Sequence, residues 1–283
     1  LDKLNHLKIT ILCENVVGNL AVVGEHGFAV YIETDSGSYL FDTGSGISIL
    51  HNARVLKKDL RAVKKIFLSH GHYDHTGGLV HILDVANPIN VYGHPEIFEE
   101  KFAISKEDLK TEKRFIGIPH RKPLLETKGA NFIFNTDFQE IENGIYLTGE
   151  IPRSTEFEKG DRRLYAKKGD IFERDIIPDD QALIFSTKKG IVVLLGCAHA
   201  GIINSLWHIV RKMKKETFYA VIGGTHLGFV EEEQLNYTID IIKQIDIQII
   251  GVSHCTGLTV AHRLFKEVGD RFSYASVGRS FEI

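Results

Sequence analysis

Apolar and polar positions alternate over residues 6–14, where Leu7, Ile9 and Ile11 interleave with Lys8 and Thr10. A period of two predicts a β-strand. After a loop over 15–27, the apolar stretches 28–34 and 38–41 flank Asp35-Ser36-Gly37 and read as a hairpin. Further apolar runs predict strands around Ile66 and over 88–92, 131–135 and 144–148, the last two assigned to a second sheet. A second hairpin joins 182–186 to 191–195 through Thr187-Lys188-Lys189-Gly190, and strands at 218–222, 247–252 and 274–277 follow. Between the strands the pattern turns helical over 47–57, 78–85, 202–214, 231–244 and 258–268; in the third of these, Ile202, Leu206, Ile209, Val210 and Met213 share one face.

Two stretches have no clear period. Residues 96–123 are charged, with Lys106, Glu107, Asp108, Lys110, Glu112, Lys113 and Arg114 close together, and read as a solvated insertion near a site entrance. Residues 149–180 are too long for an ordinary connection, so Arg153 to Lys168 reads either as a lid or substrate arm or as a solvated loop. Each half of the chain runs through strands in sequence and then alternates strand with helix, with no linker rich in Pro, Gly or Ser. We therefore expect one domain of two similar halves over 1–283. Its class is α/β (α+β), with two sheets face to face and helices outside.

The ends of these strands carry the chemistry. The strand at Ile66 runs into Ser69-His70-Gly71-His72-Tyr73-Asp74-His75-Thr76-Gly77-Gly78. His70 and His72 are two apart, so in an extended chain both imidazoles face the same side, as two ligands of one ion must. Asp74 and His75 fall where the chain turns and can address a second ion roughly 3.5–4 Å from the first. His199, His226 and His254 each close a later strand at the same end as His70 and are candidate ligands.

Composition adds exclusions. A net charge of −3 gives no reason to expect a nucleic-acid partner. Three scattered cysteines, Cys13, Cys197 and Cys255, argue against a disulfide framework. With no run of eighteen apolar residues and no recognisable signal peptide, we expect no membrane partner and a cytoplasmic location.

The run His70-x-His72-x-Asp74-His75 followed by Thr76-Gly77-Gly78 resembles the signature of the metallo-β-lactamase superfamily. The resemblance extends to the branch that includes 7,8-dihydropterin-6-yl-methyl-4-(β-D-ribofuranosyl)aminobenzene 5′-phosphate synthases. It is carried by Thr148-Gly149-Glu150-Ile151-Pro152-Arg153, Asp179-Asp180-Gln181-Ala182-Leu183, Gly196-Cys197-Ala198-His199-Ala200-Gly201, Gly223-Gly224-Thr225-His226-Leu227 and Ser253-His254-Cys255-Thr256-Gly257. It implies a four-layer αββα sandwich and two divalent ions, zinc first, with iron, manganese or magnesium as alternatives. His199 would complete the first ion's ligands and His254 the second's. Cys197 stands where the superfamily often has an aspartate between the ions, which makes it a thiolate ligand or leaves that place vacant. Asp42 resembles a carboxylate that orients a ligating histidine, although its place before 47–57 also fits a helix N-cap.

Two ions make hydrolysis of a small molecule the simplest chemistry, a metal-bound hydroxide attacking a phosphoester or similar centre, with Asp74 and His254 as candidate catalytic residues. A second reading is transfer from a pterin diphosphate, Arg153 steadying phosphate and Tyr73, Phe157 or Tyr165 stacking on the pterin. A third is a di-iron redox or electron-transfer protein. A homo-oligomer paired through 96–123 is left open.

Overall fold

Along Leu7–Cys13, Ala29–Thr34 and Gly37–Phe41, successive side chains enter different cores. Ile9, Ile11, Val30, Ile32, Tyr39 and Phe41 fill one, and Leu12, Tyr31 and Leu40 the other. Such strands are buried on both faces, so the sheet they form must be an inner layer. The computed structural model, which describes residues 3–104 and 112–283, bears this out. The first sheet has seven strands in the order Ser280–Glu282, Leu7–Cys13, Ala29–Thr34, Gly37–Phe41, Val63–Phe67, Ile89–Gly93 and Ala130–Phe134. The second orders Phe272–Tyr274, Ile247–Ser253, Phe218–Gly224, Gly190–Leu195, Leu183–Thr187, Ile145–Leu147 and Gln139–Glu142.

One core holds residues of both sheets, with Phe41 and Phe67 from the first joined by Leu183, Phe185, Val192 and Leu194 from the second. The outer face of the second sheet is covered by helices Ile202–Met213, Glu232–Gln244 and Leu258–Val268, and that of the first by shorter helices including Ile49–Val55 and Leu79–Leu83. The result is the four-layer αββα arrangement. In each sheet a hairpin leads into parallel strands, Gly37–Phe41 beside Val63–Phe67 in one and Gly190–Leu195 beside Phe218–Gly224 in the other. Parallel neighbours end on the same side, so their C-terminal turns form one rim.

Several elements differ from the sequence reading. Residues 131–135 belong to the first sheet, where Ala130–Phe134 pairs in parallel with Ile89–Gly93. The intervening helix Lys122–Thr127 is the crossover that brings the chain back to that sheet. The strand expected over 274–277 is Phe272–Tyr274, and Ser280–Glu282 adds an edge strand beside Leu7–Cys13. Gln139–Glu142 is a polar edge strand without an apolar signal.

The charged stretch 96–123 is not simply solvated. Lys106, Glu107, Asp108 and Lys110 lie outside the described residues, but Glu100–Ile104 and Lys113–Phe115 join Leu164–Lys168 and Ile171–Arg174 in a third, four-stranded sheet. That sheet is tied down by Lys101, a fully buried cation whose Nζ donates to Asp179 Oδ1 at 2.7 Å and Asp175 Oδ2 at 3.1 Å. Burial disfavours the ammonium, but the two carboxylates outweigh it and push its pKa up to about 12. No helix among the described residues is long and apolar enough to cross a membrane.

Replacing Lys101 with Met leaves two buried carboxylates without their cation. The expected loss in urea unfolding is about 3–5 kcal/mol. A loss under about 1 kcal/mol would show that the trio does not hold the third sheet.

Candidate metal centre

The centre begins where Val63–Phe67 leaves the first sheet. Asp42, just after the neighbouring strand Gly37–Phe41, turns back with φ of 58° and accepts the Ser69 N–H at 2.7 Å, the Ser69 Oγ–H at 2.6 Å and Nδ1 of His75 at 2.7 Å. The helix cap near it is Ser48, so Asp42 is no N-cap; its carboxylate is fully buried and spent on the metal loop. Asp179 Oδ2 accepts the Gly71 N–H at 2.7 Å. A Cβ on Gly71 would lie 2.1 Å from the Ile97 carbonyl oxygen, which is why glycine stands between the two histidines. After His72 the chain makes one helical turn, Tyr73–Thr76, clasped by Thr43, whose N–H and Oγ both donate to the His75 carbonyl.

This scaffold brings six of the expected ligands together in two sets. His70 Nε2 lies 3.0 Å from His72 Nδ1 and 3.2 Å from His199 Nε2. Ligand atoms about 2.1 Å from a tetrahedral ion stand roughly 3.4 Å apart, so this spacing is close to that of a shared ion. Burial pushes all three histidines down, His72 to about 3, and keeps them neutral, the form that ligates. In the second set His254 Nε2 lies 3.3 Å from Asp74 Oδ2, and the donor atoms of His254 and His75 lie within 4.8 Å of each other. His254 Nδ1 donates to Asn15 Oδ1 at 2.9 Å, leaving a buried Nε2 without a hydrogen-bond partner among the described residues and aimed at Asp74. Burial opposes charge on His75, yet Asp42 raises its pKa to about 9, so an ion there must displace a proton.

The remaining expected residues are placed as follows. Cys197 Sγ sits 3.1 Å from His75 Nε2, between the two sets. His226 joins neither; its Nε2 meets Asp161 Oδ2 at 3.2 Å and its backbone N–H points to Cys255 Sγ. Burial lowers its pKa, but the Asp161 hydrogen bond raises it to about 9. Arg153, expected to meet a phosphate, instead donates to the carbonyls of Ile176 and His199, so it supports the His199 backbone and does not line the cavity. Tyr165 is buried in the third sheet, and Phe157 lines a neighbouring cavity.

Two residues at the centre carry no sequence signal: His26, whose exposed ring brings Nε2 to 3.1 Å from Asp74 Oδ2, and Glu14, which accepts the His254 N–H. Neither belongs to a local motif; only folding places them. The metal centre opens into a cavity of about 560 Å³ whose walls include His26, Tyr73, Arg114, Arg163 and Phe229. A second cavity of about 710 Å³ shares Asp161, Arg163 and Phe229 with it.

The chain has known relatives by sequence and by fold. A family description, the metallo-beta-lactamase superfamily, matches residues 22–156. A 7,8-dihydropterin-6-methyl-4-(beta-D-ribofuranosyl)-aminobenzene-5'-phosphate synthase from Methanocaldococcus jannaschii is 30% identical over 99% of this chain and 97% of its own. The solved structure of Tm1679, described as a metal-dependent hydrolase of the beta-lactamase superfamily, superposes with a TM-score of 0.82 at 27% identity, covering 98% of this chain and 99% of that one. Zinc-bound PqqB from Methylobacterium extorquens, at 12% identity and a TM-score of 0.57 over 98% of this chain and 100% of its own, shares the fold.

Replacing Asp42 with Ala should weaken metal binding about 10–100-fold in competition with a chelator. Unchanged affinity would show that the sheet alone orients Ser69 and His75.

Proposed function

Because the chain belongs to the metallo-beta-lactamase superfamily, we propose that it is a two-metal hydrolase of a phosphoester or other ester-like small molecule, zinc being the first candidate ion. The observation that carries this reading is the convergence of His70, His72 and His199 beside Asp74, His75 and His254, four of which (His72, Asp74, His199 and His254) line one cavity. Bound there, divalent ions acidify water toward a pKa of roughly 7 and polarise a phosphoryl or carbonyl oxygen. Asp74 Oδ2 lies between His26 Nε2 and His254 Nε2, where it can hold a proton and return it to a leaving group. Arg114 and Arg163 on the cavity wall suit an anionic substrate.

A second reading is transfer, in which an organic nucleophile replaces water and a diphosphate leaves. Two observations favour it: the name of the Methanocaldococcus relative, which this chain matches over its whole length, and the second cavity beside the first, room for a second reactant.

Elemental analysis is expected to give two ions per chain. Asp74→Ala should lose one of them and reduce turnover of a phosphodiester such as bis(p-nitrophenyl) phosphate by at least about 100-fold; an unaltered rate would remove Asp74 from the mechanism. Isotope-labelled water separates the two readings, since label enters the product in hydrolysis and stays out in transfer.

A further inference from the structure

Two of the three cysteines meet at the wall of the metal cavity. We infer that Cys197 and Cys255 are a redox pair, two thiols that an oxidant joins into a reversible disulfide and that thereby switch metal uptake by the centre. Their Sγ atoms lie within 4.8 Å of each other, a gap that side-chain rotation can close, and Cys255 Sγ stands 3.7 Å from the Cys197 carbonyl oxygen. Cys13, the third, is fully buried elsewhere, its Sγ receiving the Ser48 Oγ–H at 3.3 Å.

The fold brings the pair together across a strand. Gly190–Leu195 and Ile247–Ser253 are not neighbours, because Phe218–Gly224 lies between them and pairs with both. Two sheet spacings, about 9.6 Å, therefore separate the strands from whose ends the two cysteines come. After the left-handed turn at His254, with φ of 50°, Cys255 lies over Gly224, the last residue of the middle strand. A Cβ at Gly224 would stand 2.7 Å from Cys255 Sγ and 3.4 Å from the Cys197 Cα, so the missing side chain is what lets the thiols approach. The His226 N–H, 3.2 Å from Cys255 Sγ, holds that sulfur in place. Both cysteines are nearly buried yet line the 560 Å³ cavity, which gives a small oxidant its way in.

The step balances with hydrogen peroxide as the oxidant. Two S–H bonds and the O–O bond break, the sulfur–sulfur bond forms, and the peroxide is reduced to two waters; a dithiol reverses the link by exchange. Cys197 Sγ is 3.1 Å from His75 Nε2, and Cys255 directly follows His254. Drawing the sulfurs together therefore shifts the surroundings of two expected ligands at once.

Diamide, an azo oxidant that takes the same two hydrogens and becomes a hydrazine, joins thiols in pairs without oxidising single ones further. Added to the metal-free protein, it should lower the thiols titrated in denaturant from three to one per chain. Peptide mapping without reduction should find Cys197 linked to Cys255, about 2 Da below the sum of the two peptides, and dithiothreitol should restore all three thiols. Zinc uptake by the oxidised protein, in competition with a chelator, should be weaker by at least about tenfold and should recover with dithiothreitol. In Cys255→Ser, or in Cys255→Ala should the serine variant fail to fold, diamide should leave zinc affinity where it was. Absence of the Cys197–Cys255 peptide would overturn the pair, and zinc affinity unchanged by the link would overturn the switch. A reduced protein that binds no zinc would instead overturn the two-ion reading.

Discussion

A buried carboxylate without donors is untenable, and the way Asp42 meets that demand organises the whole centre. Its three partners, two on Ser69 and one on His75, fix where the metal loop leaves its strand and which nitrogen of His75 faces inward. The arrangement is available because Gly37–Phe41 and Val63–Phe67 are parallel neighbours, Phe41 opposite Phe67. Sheet spacing of about 4.8 Å therefore sets the distance across which Asp42 must reach.

The second sheet answers with the same device. Asp42, Ala198, His226 and His254 follow the ends of four parallel strands, and all four have φ between 50° and 58°. A left-handed residue without a glycine's freedom is unfavourable by about 1 kcal/mol or more. Four such turns facing one rim are sustained by the hydrogen bonds around them, the Glu14 carboxylate on the His254 N–H among them. Of the four, His254 is itself an expected ligand, Asp42 holds His75, Ala198 precedes His199, and His226 meets Asp161.

Much of this was legible in the sequence because it is local. Alternation at Leu7, Ile9 and Ile11 and the apolar runs of the parallel strands follow from burial on one or both faces. The spacing of His70, His72, Asp74 and His75 follows from the turn that joins strand to helix. What was not legible is non-local. Nothing near Ala130–Phe134 says which sheet it joins, since that depends on the crossover before it. Lys101 reads as one more surface charge until Asp175 and Asp179 arrive from a distant segment. Arg153 looks like a phosphate ligand by residue type, and only the positions of the Ile176 and His199 carbonyls show that its Nη2 is engaged within the protein.

The edge strand Ser280–Glu282, paired with Leu7–Cys13, ties the order of synthesis to the order of assembly. The first sheet contains the His70 loop, yet its outermost strand is translated after every other one described, and Leu7–Cys13 is until then an open edge. The residues that follow that strand, Glu14 and Asn15, are the ones that hold His254. A nascent chain can therefore form the His70 loop early, but His254 is held only after segments about 240 positions apart have met. The placing of His254 is then a late step, in which the loop-closure entropy of the 240 positions between Glu14 and His254 is offset at once.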